Sequence, residues 1–146
     1  NHHGSVQDAI KNADVFIGVS QANLLTADDI RTMNKEAIIF AMANPIPEIM
    51  PDEAVKGGAA IIGTGRSDFP NQINNVLAFP GIFRGALDGK AKRITTAMKL
   101  AAAYAIANSV YNITREKVVP STLNLRVAHE VAVAVQEAIK DEDRLF

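Results

Sequence analysis

Three short apolar runs, each followed at once by small or polar residues, constrain the fold of this chain more than any other feature of its sequence. The runs are Val15–Val19, Ala37–Met42 and Ala59–Ile62, and they stop at Ser20, at Asn44-Pro45 and at Gly63-Thr64-Gly65. Runs that are apolar at nearly every position are typical of strands that helices cover on both faces. The pattern therefore predicts three strands of a parallel α/β sheet.

Helical segments fit the intervals between these predicted strands. Thr26 is a natural cap for a helix over residues 27–33. Pro51 can open a second helix that continues to Lys56 before Gly57-Gly58 ends it. This alternation of strands and helices is the pattern of βαβ units.

The pattern changes after Gly65. Residues 66–79 show no clean hydrophobic period and are predicted to form a long loop, and its asparagines and aromatic residues favour a functional role. The next helix is predicted to begin at Pro80. Its expected buried side consists of Ile82, Phe83, Ala86 and Leu87.

Two more helices are predicted in the rest of the chain, on either side of Pro120. The first, Ile94–Val110, is rich in alanine and has good helix propensity. The second, Leu125–Ile139, places several apolar residues on one face. These are Ala128, Val131, Ala132, Val135 and Ile139.

The charge balance and the absence of cysteine exclude several classes of function. The 146 residues carry 15 Lys and Arg against 16 Asp and Glu, so the chain has no basic field for nucleic acid or an anionic membrane face. No apolar stretch approaches the roughly 20 residues of a membrane span, and no signal peptide is visible, so we expect a cytoplasmic location. Without cysteine, disulfides, thiol nucleophiles and thiolate zinc sites are excluded.

The three histidines give no strong functional signal. His2 and His3 lie in residues 1–5, which look like the remnant of a tag and linker and are expected to be no part of the fold. His129 lies within the last predicted helix, where a solvent-facing or capping role is expected rather than catalysis.

The local motifs of a complete enzyme are missing from this sequence. Gly63-Thr64-Gly65 has Asp68 where a dinucleotide-binding turn would have its third glycine, and it lacks the lysine of a phosphate-binding loop. No Ser/His/Asp set, His-Glu-x-x-His motif or carboxylate pair is visible. The motifs alone therefore identify neither a nucleophile nor a metal site, and they do not indicate a complete enzyme.

Asparagines follow the predicted strands where a ligand would lie. In open parallel sheets, ligands bind beyond the carboxyl ends of the strands, and here those ends carry Ser20, Asn44 and the 63–75 loop. An asparagine amide both donates and accepts hydrogen bonds, which suits a substrate carboxylate or a nicotinamide amide. The alternative, that these asparagines only form turns, stays open at this point. It applies to Asn44, Asn71, Asn74 and Asn75.

Three segments give the chain its resemblance to a known family. They are Ala13-Asp14-Val15-Phe16-Ile17-Gly18-Val19-Ser20, Phe40-Ala41-Met42-Ala43-Asn44-Pro45 and the stretch from Gly63 to Gly81 with its motif Asn74-Asn75-Val76-Leu77-Ala78-Phe79-Pro80-Gly81. In these segments the chain resembles bacterial malic enzymes, and the likeness extends from about residue 8 to about residue 140. The last segment is the most specific of the three.

The resemblance implies an activity and a set of cofactors. Malic enzymes oxidatively decarboxylate malate to pyruvate and CO2, with NAD or NADP as hydride acceptor and a divalent Mg or Mn ion at the substrate. It also implies that the intact enzyme is a homo-oligomer.

The resemblance further implies which residues of this chain bind ligands. Asn44 matches the substrate-contacting asparagine that also lies beside the nicotinamide ribose. Asn74 and Asn75 match paired asparagines that contact the malate carboxylate and the nicotinamide carboxamide, in an order the resemblance leaves open. Gly18, Val19 and Ser20 match the strand end that passes under the cofactor, where a small residue allows close approach.

The resemblance places the other functional groups upstream of residue 8. The acid/base tyrosine and lysine, the carboxylate metal ligands and the glycine fingerprint are all expected there, so this chain alone is expected to be inactive. We expect residues 6–90 to form the second half of a three-layer, doubly wound, Rossmann-like α/β domain, and residues 91–146 a helical segment that packs on it. One departure from the family is the loop Pro120–Asn124, which lacks aromatic and acidic residues.

Two other functions remain as alternatives. The chain could belong to another dehydrogenase with a similar sheet, such as an amino-acid dehydrogenase. It could also be a silent binding or assembly module, because half of a nucleotide-binding fold exposes a sheet edge and apolar helix faces.

Overall fold

The computed structural model describes residues 4–145, so His2 and His3 lie outside the described residues. Ser5, within the predicted tag remnant, accepts a hydrogen bond from the Asp8 N–H and thereby caps the first helix. Nine helices and strands follow one another in the described part. They are α1 (Val6–Ala9), β1 (Val15–Gly18), α2 (Ala27–Arg31), β2 (Ile38–Ala41), α3 (Pro51–Lys56), β3 (Ile61–Thr64), α4 (Phe79–Asp88), α5 (Thr96–Asn108) and α6 (Leu125–Glu137).

The three strands form a parallel sheet in the order β1-β2-β3, which confirms the predicted α/β class. Gly18 pairs with Ala41 at the end of β1 and β2, and Ala41 pairs with Thr64 at the end of β2 and β3. The three carboxyl ends are therefore in register at one edge of the sheet. This is the edge at which ligands of open parallel sheets bind.

The predicted bounds of the third strand were wrong by two residues. Ala59 and Ala60 belong to the turn that follows α3, since the Ala59 N–H bonds to the Ala54 carbonyl. Gly63 and Thr64, predicted to end the strand, lie within β3. A side chain at Gly63 would meet Ile73 and Phe40, so glycine here reflects close packing and not a turn.

The two helices between the strands begin where the sequence predicts. The Thr26 hydroxyl accepts the Asp29 N–H, and the Asp29 carboxylate accepts the Thr26 N–H, which completes a capping box at the start of α2. Pro51 is the first residue of α3, and Gly57 caps its end. These helices pack with the sheet into a core whose fully buried members include Ile39, Ala41, Ile49 and Ala54.

The chain divides into two compact units. The first extends to Ile73 and includes Thr114–Glu116, and the second consists of Asn74–Ile113 and the chain from Lys117 onwards. This division puts α4 with the C-terminal helices, whereas the sequence analysis assigned it to the segment that ends at residue 90. The assignment of residues 6–90 to half of a cofactor domain stays a prediction.

In the second unit, α4 begins at Phe79, one residue before the predicted start. Its expected buried side was wrong in part, because Phe83 and Leu87 are 53% and 77% exposed. The helix instead buries Gly81 and Gly85 against α6, while Ile82 and Ala86 are half-buried. Glycines allow two helix backbones to approach closely, and this contact turns the larger side chains away.

The other two helices of this unit are close to their predicted bounds. α5 begins after Thr95, whose hydroxyl accepts the Met98 N–H, and α6 ends two residues before Ile139. The apolar face of α6 is buried as predicted, except that Ala128 is half-buried. Its core partners include Met98 and Ala102 of α5. No helix in residues 4–145 has the length and apolar character of a membrane span.

Candidate functional site

The first unit brings four of the predicted ligand-binding residues to the carboxyl ends of β1 and β2. Gly18 is buried at the last position of β1, and Val19 and Ser20 follow it at the surface. Asn44 lies three residues after β2 and is exposed, and a cis peptide bond joins it to Pro45. Because β1 and β2 are neighbours in register, both turns belong to the same edge of the sheet.

Asn44 has the free polar atoms that a ligand-binding residue needs. Within residues 4–145 its side-chain amide makes no hydrogen bond, so both its oxygen and its nitrogen are available. A turn-forming asparagine typically bonds to backbone atoms nearby. The geometry therefore gives no support to a purely turn-forming role at this position.

Glu48 is a polar residue of this edge that the sequence analysis missed. Its side chain is completely buried, and its carboxylate accepts hydrogen bonds from the N–H of Ser20 at 2.7 Å and of Ala43 at 3.0 Å. Buried carboxylates are rare without a partner, and here both oxygens have a backbone donor. The only signal in the sequence was an acidic residue between two apolar ones, Pro47 and Ile49.

Gly18 leaves the space that Glu48 occupies. A Cβ atom at Gly18 would lie 2.5 Å from the Glu48 carboxyl carbon and 2.8 Å from the Phe16 ring. Glycine at position 18 therefore leaves room for the Glu48 carboxyl group inside the first unit. The predicted contact of Gly18 with a cofactor stays a prediction.

Asn74 and Asn75 are in the second unit, where the structure distinguishes them. The Asn74 side-chain oxygen accepts the Val76 N–H at 3.0 Å and caps a 3₁₀ helix over Asn75–Leu77. Within the described residues the Asn75 amide makes no hydrogen bond, and the side chain is at the surface. Asn74 thus caps the 3₁₀ helix, whereas both polar atoms of the Asn75 amide are unpaired within the described residues. Contact of either residue with a ligand stays a prediction.

The fourth asparagine, Asn71, is structural. It is 6% exposed, and its amide nitrogen donates to the carbonyls of Ile62 at 2.9 Å and Arg115 at 2.8 Å. Earlier in the same loop, Arg66 and Asp68 form a two-pronged ion pair that holds the pKa of the Asp68 carboxyl below its usual range. The loop that follows β3 is therefore held in place by its own side chains.

Candidate catalytic and metal-binding groups are few in the described residues. His129 is exposed on α6, as predicted. Residues 4–145 contain no group of three or more His, Asp or Glu side chains that could hold a metal ion. The upstream location of the metal ligands stays a prediction.

Comparison with known proteins identifies the family of this chain. The family model described as malic enzyme, NAD binding domain, matches residues 2–140. A bifunctional malic/malolactic enzyme of Bacillus subtilis (strain 168) is 57% identical over 137 residues, which cover 92% of this chain and 33% of that protein. An NADP-dependent malic enzyme of Rhizobium meliloti (strain 1021) is 57% identical over 105 residues, which cover 71% of this chain and 14% of that protein.

A solved structure extends the likeness to three dimensions. The crystal structure of malic enzyme from Pyrococcus horikoshii Ot3 matches with a TM-score of 0.91 and 50% identity, over 97% of this chain and 33% of that one. The chain spans about a third of the length of the Bacillus protein. Since the family model covers almost the whole chain, this chain belongs to the malic enzyme family through its NAD-binding domain.

Proposed function

We propose that this chain forms part of an enzyme that oxidatively decarboxylates (S)-malate, with NAD or NADP as electron acceptor and a divalent metal ion, Mg²⁺ or Mn²⁺, as a second cofactor. Malate and NAD(P)⁺ are converted to pyruvate, CO2 and NAD(P)H. The hydride is transferred from C2 of malate to the cofactor. The observation that carries the proposal is Asn44, whose unpaired amide stands beyond the end of β2 in a chain that the family model matches.

Asn44 and Asn75 are proposed to bind malate. An amide N–H₂ can donate to a carboxylate or a hydroxyl oxygen, and the amide oxygen can accept from the malate hydroxyl. Neither interaction adds charge to the site. Asn74 is proposed to orient the neighbouring Asn75, because its own oxygen already caps the 3₁₀ helix, while its amide nitrogen can still donate to a nicotinamide or a carboxylate.

We place the proposed dinucleotide cofactor against the residues that end and follow β1. Val19 and Ser20 are exposed at the ligand-binding edge, next to the turn that presents Asn44. We propose that Gly18, Val19 and Ser20 line the cofactor's path and that Asn44 and Asn74 contact its nicotinamide end. When bound, NAD or NADP supplies the acceptor for the hydride.

The acid/base and metal chemistry is proposed to lie outside this chain. A general base must reach the proton that it removes, and a divalent ion needs several oxygen ligands, which the described residues do not assemble. Asn side chains alone can bind and orient malate but cannot activate it. We therefore propose that the 146-residue chain alone is inactive, and that the full-length enzyme works as a cytoplasmic homo-oligomer.

The test is an assay of the full-length polypeptide that contains this chain, with malate, Mn²⁺ and either NAD or NADP. Equimolar pyruvate and reduced cofactor are the expected products. We expect Asn44→Ala and Asn75→Ala each to raise the KM for malate or lower kcat at least tenfold, which is about 1.4 kcal/mol of lost transition-state stabilisation. Asn108→Ala, an exposed change at the end of α5, is the matched control.

Two outcomes would contradict the proposal. Parental kinetics in both asparagine variants would remove the assigned roles. Reduction of the cofactor with an amino acid but not with malate would favour an amino-acid dehydrogenase, against the family match.

A further inference from the structure

Glu48 joins the two turns that carry the proposed cofactor- and substrate-binding residues. The parallel ladder between β1 and β2 ends with the bond from the Met42 N–H to the Gly18 carbonyl. Beyond this point the N–H groups of Ser20 and Ala43 have no strand partner. Ser20 and Ala43 each lie two residues after a strand end, and both N–H groups point to the same carboxylate, that of Glu48.

The backbone around Glu48 reinforces this link. The Asn23 N–H donates to the Pro47 carbonyl and the Leu25 N–H donates to the Glu48 carbonyl, both at 3.0 Å. The segment before α3 is therefore bonded to the segment before α2 through main chain as well as through the carboxylate. Asn44 lies between two fixed points, Ala43 on one side and Pro47 on the other.

The chemistry of the carboxylate suits this role better than that of any neutral side chain. An ionised carboxylate only accepts hydrogen bonds, so its two oxygens can serve two N–H donors at once, and charge-assisted bonds are the stronger ones. No Lys or Arg in residues 4–145 forms an ion pair with Glu48. The polar atoms of the buried side chain are thus satisfied by backbone N–H donors, which ties their position to the two turns.

We propose that Glu48 is a positioning residue, whose buried carboxylate fixes the turns after β1 and β2 so that Ser20 and Asn44 are held for cofactor and malate together. This inference rests on the function proposed above for Ser20 and Asn44. Small displacements of binding groups carry large kinetic costs, on the order of 100-fold for about 1 Å. Glu48 contacts neither ligand in this account and acts through the backbone of Ser20 and Ala43.

The experiment compares Glu48→Gln with Glu53→Gln in the full-length enzyme. Glutamine keeps the size of the side chain but turns one acceptor into a donor, which then faces a backbone N–H. Glu53 is the matched control, because its carboxylate also accepts a backbone N–H, that of Ala27 at 3.3 Å, but at the start of α2. We expect Glu48→Gln to raise the KM for malate and the KM for cofactor at least fivefold each, and Glu53→Gln to change neither.

Hydrogen exchange measures the link directly and does not depend on activity. The amides of Ser20 and Ala43 should exchange slowly in the parent enzyme, and both should exchange at least tenfold faster in Glu48→Gln. Fast exchange of Ser20 and Ala43 in the unsubstituted enzyme would overturn the proposal without any variant. If the Glu48→Gln variant does not fold, Glu48→Asp takes its place. Its side chain is one methylene shorter, so its carboxyl group is drawn back from both N–H groups, and Ser20 and Ala43 should lose protection together.

The results separate this inference from the proposed function. A parent enzyme that does not oxidise malate contradicts the proposed function, while the exchange data still decide the role of Glu48. Unchanged exchange, or equal KM values in the Glu48 and Glu53 variants, overturns the positioning role and leaves the malic enzyme activity in place.

Discussion

Asn71 combines a positive φ of 54° with complete use of its amide nitrogen. Asparagine tolerates the left-handed region better than other residues with a side chain, because its short polar group bonds locally. Here the same side chain also donates hydrogen bonds to two carbonyls, those of Ile62 and Arg115. The residue thus stabilises the loop after β3 in two separate ways.

These two contributions can be separated by substitution. We expect Asn71→Ala to lower the free energy of unfolding by about 2–4 kcal/mol, since two carbonyls lose their hydrogen-bond donor and alanine is strained at this φ. Asn12→Ala has a similar φ of 59° but an exposed side chain, so it should cost only about 1 kcal/mol. Urea denaturation measures both. Equal losses in the two variants would show that the hydrogen bonds contribute nothing.

The carboxyl of Asp8, at the surface of the first unit, has a lowered pKa. Its hydrogen bond with Lys11, and after that its bonds with Ser5, lower its pKa from 3.8 to about 2. Because the folded state favours the ionised form, this small stabilisation is present above pH 3.8 and disappears as the pH falls through about 2. We expect Lys11→Met to raise the Asp8 pKa towards 3.8, measured by carboxyl NMR titration, whereas Lys56→Met should leave it unchanged.

At the scale of single elements, α4 packs through its glycines. A Cβ at Gly81 would lie 2.6 Å from the Val131 Cβ, and one at Gly85 would overlap the Ala132 carbonyl oxygen. In both cases the obstacle belongs to α6. The exposed Phe79 and Phe83 rings instead contact each other, with centroids 5.9 Å apart.

This packing reverses the usual effect of alanine in a helix. Alanine in place of glycine normally favours a helix by about 1 kcal/mol, but overpacking against α6 should outweigh this gain, so Gly85→Ala should destabilise the chain by about 1–3 kcal/mol. Leu87→Ala should change stability by less than about 0.5 kcal/mol, since Leu87 is mostly exposed. Thermal unfolding of both variants checks the pair. A large loss of stability in Leu87→Ala would instead support the buried face of α4 that the sequence predicts.

The sequence predicted elements whose signals are local and missed contacts that only the folded chain creates. Apolar runs and capping residues such as Thr26 and Pro51 depend on neighbours within a few positions, so they could be read directly. The buried face of α4 depends on Gly81 and Gly85 meeting another helix, which no periodicity reveals. The role of Glu48 depends on two backbone N–H groups. Since nearly every residue type has such a group, the sequence cannot indicate which ones Glu48 bonds.

The candidate site shows the same division between local and distant causes. Asn44 and Ser20 could be expected at one edge because parallel strands in sequence order end together. Their connection through Glu48 could not, since the residue is 28 positions from Ser20. The difference in hydrogen bonding between Asn74 and Asn75 also could not be predicted, because it depends on the cap of the 3₁₀ helix.

At the scale of the whole molecule, β1 is an edge strand with an uncovered face. It pairs with β2 alone in residues 4–145, and Val15, Ile17 and Val19 are 45%, 63% and 78% exposed. An exposed apolar edge strand favours association with another chain or segment. The assembly role considered from the sequence stays a prediction, and this strand is the candidate surface for it.

We expect the 146-residue chain to associate through this strand at high concentration and to bind a hydrophobic dye. Ile17→Lys should reduce both effects at least threefold, because a lysine on an edge strand opposes pairing with a neighbour. Val55→Lys, at a similarly exposed position of α3, should reduce neither. Light scattering and dye fluorescence over a concentration series provide the measurement. Equal behaviour of the two variants would place the association elsewhere.

The short segment Thr114–Glu116 makes the first unit discontinuous along the chain. Arg115 supplies a carbonyl to Asn71 and an ion pair to Glu36, although it is 44 residues from the former and 79 from the latter. A truncation after Ile73 would therefore remove Arg115, whose carbonyl and guanidinium the remaining fold uses. Any attempt to produce the sheet as an independent domain must graft this segment back, for example through a short linker, or accept an Asn71 amide with one acceptor fewer.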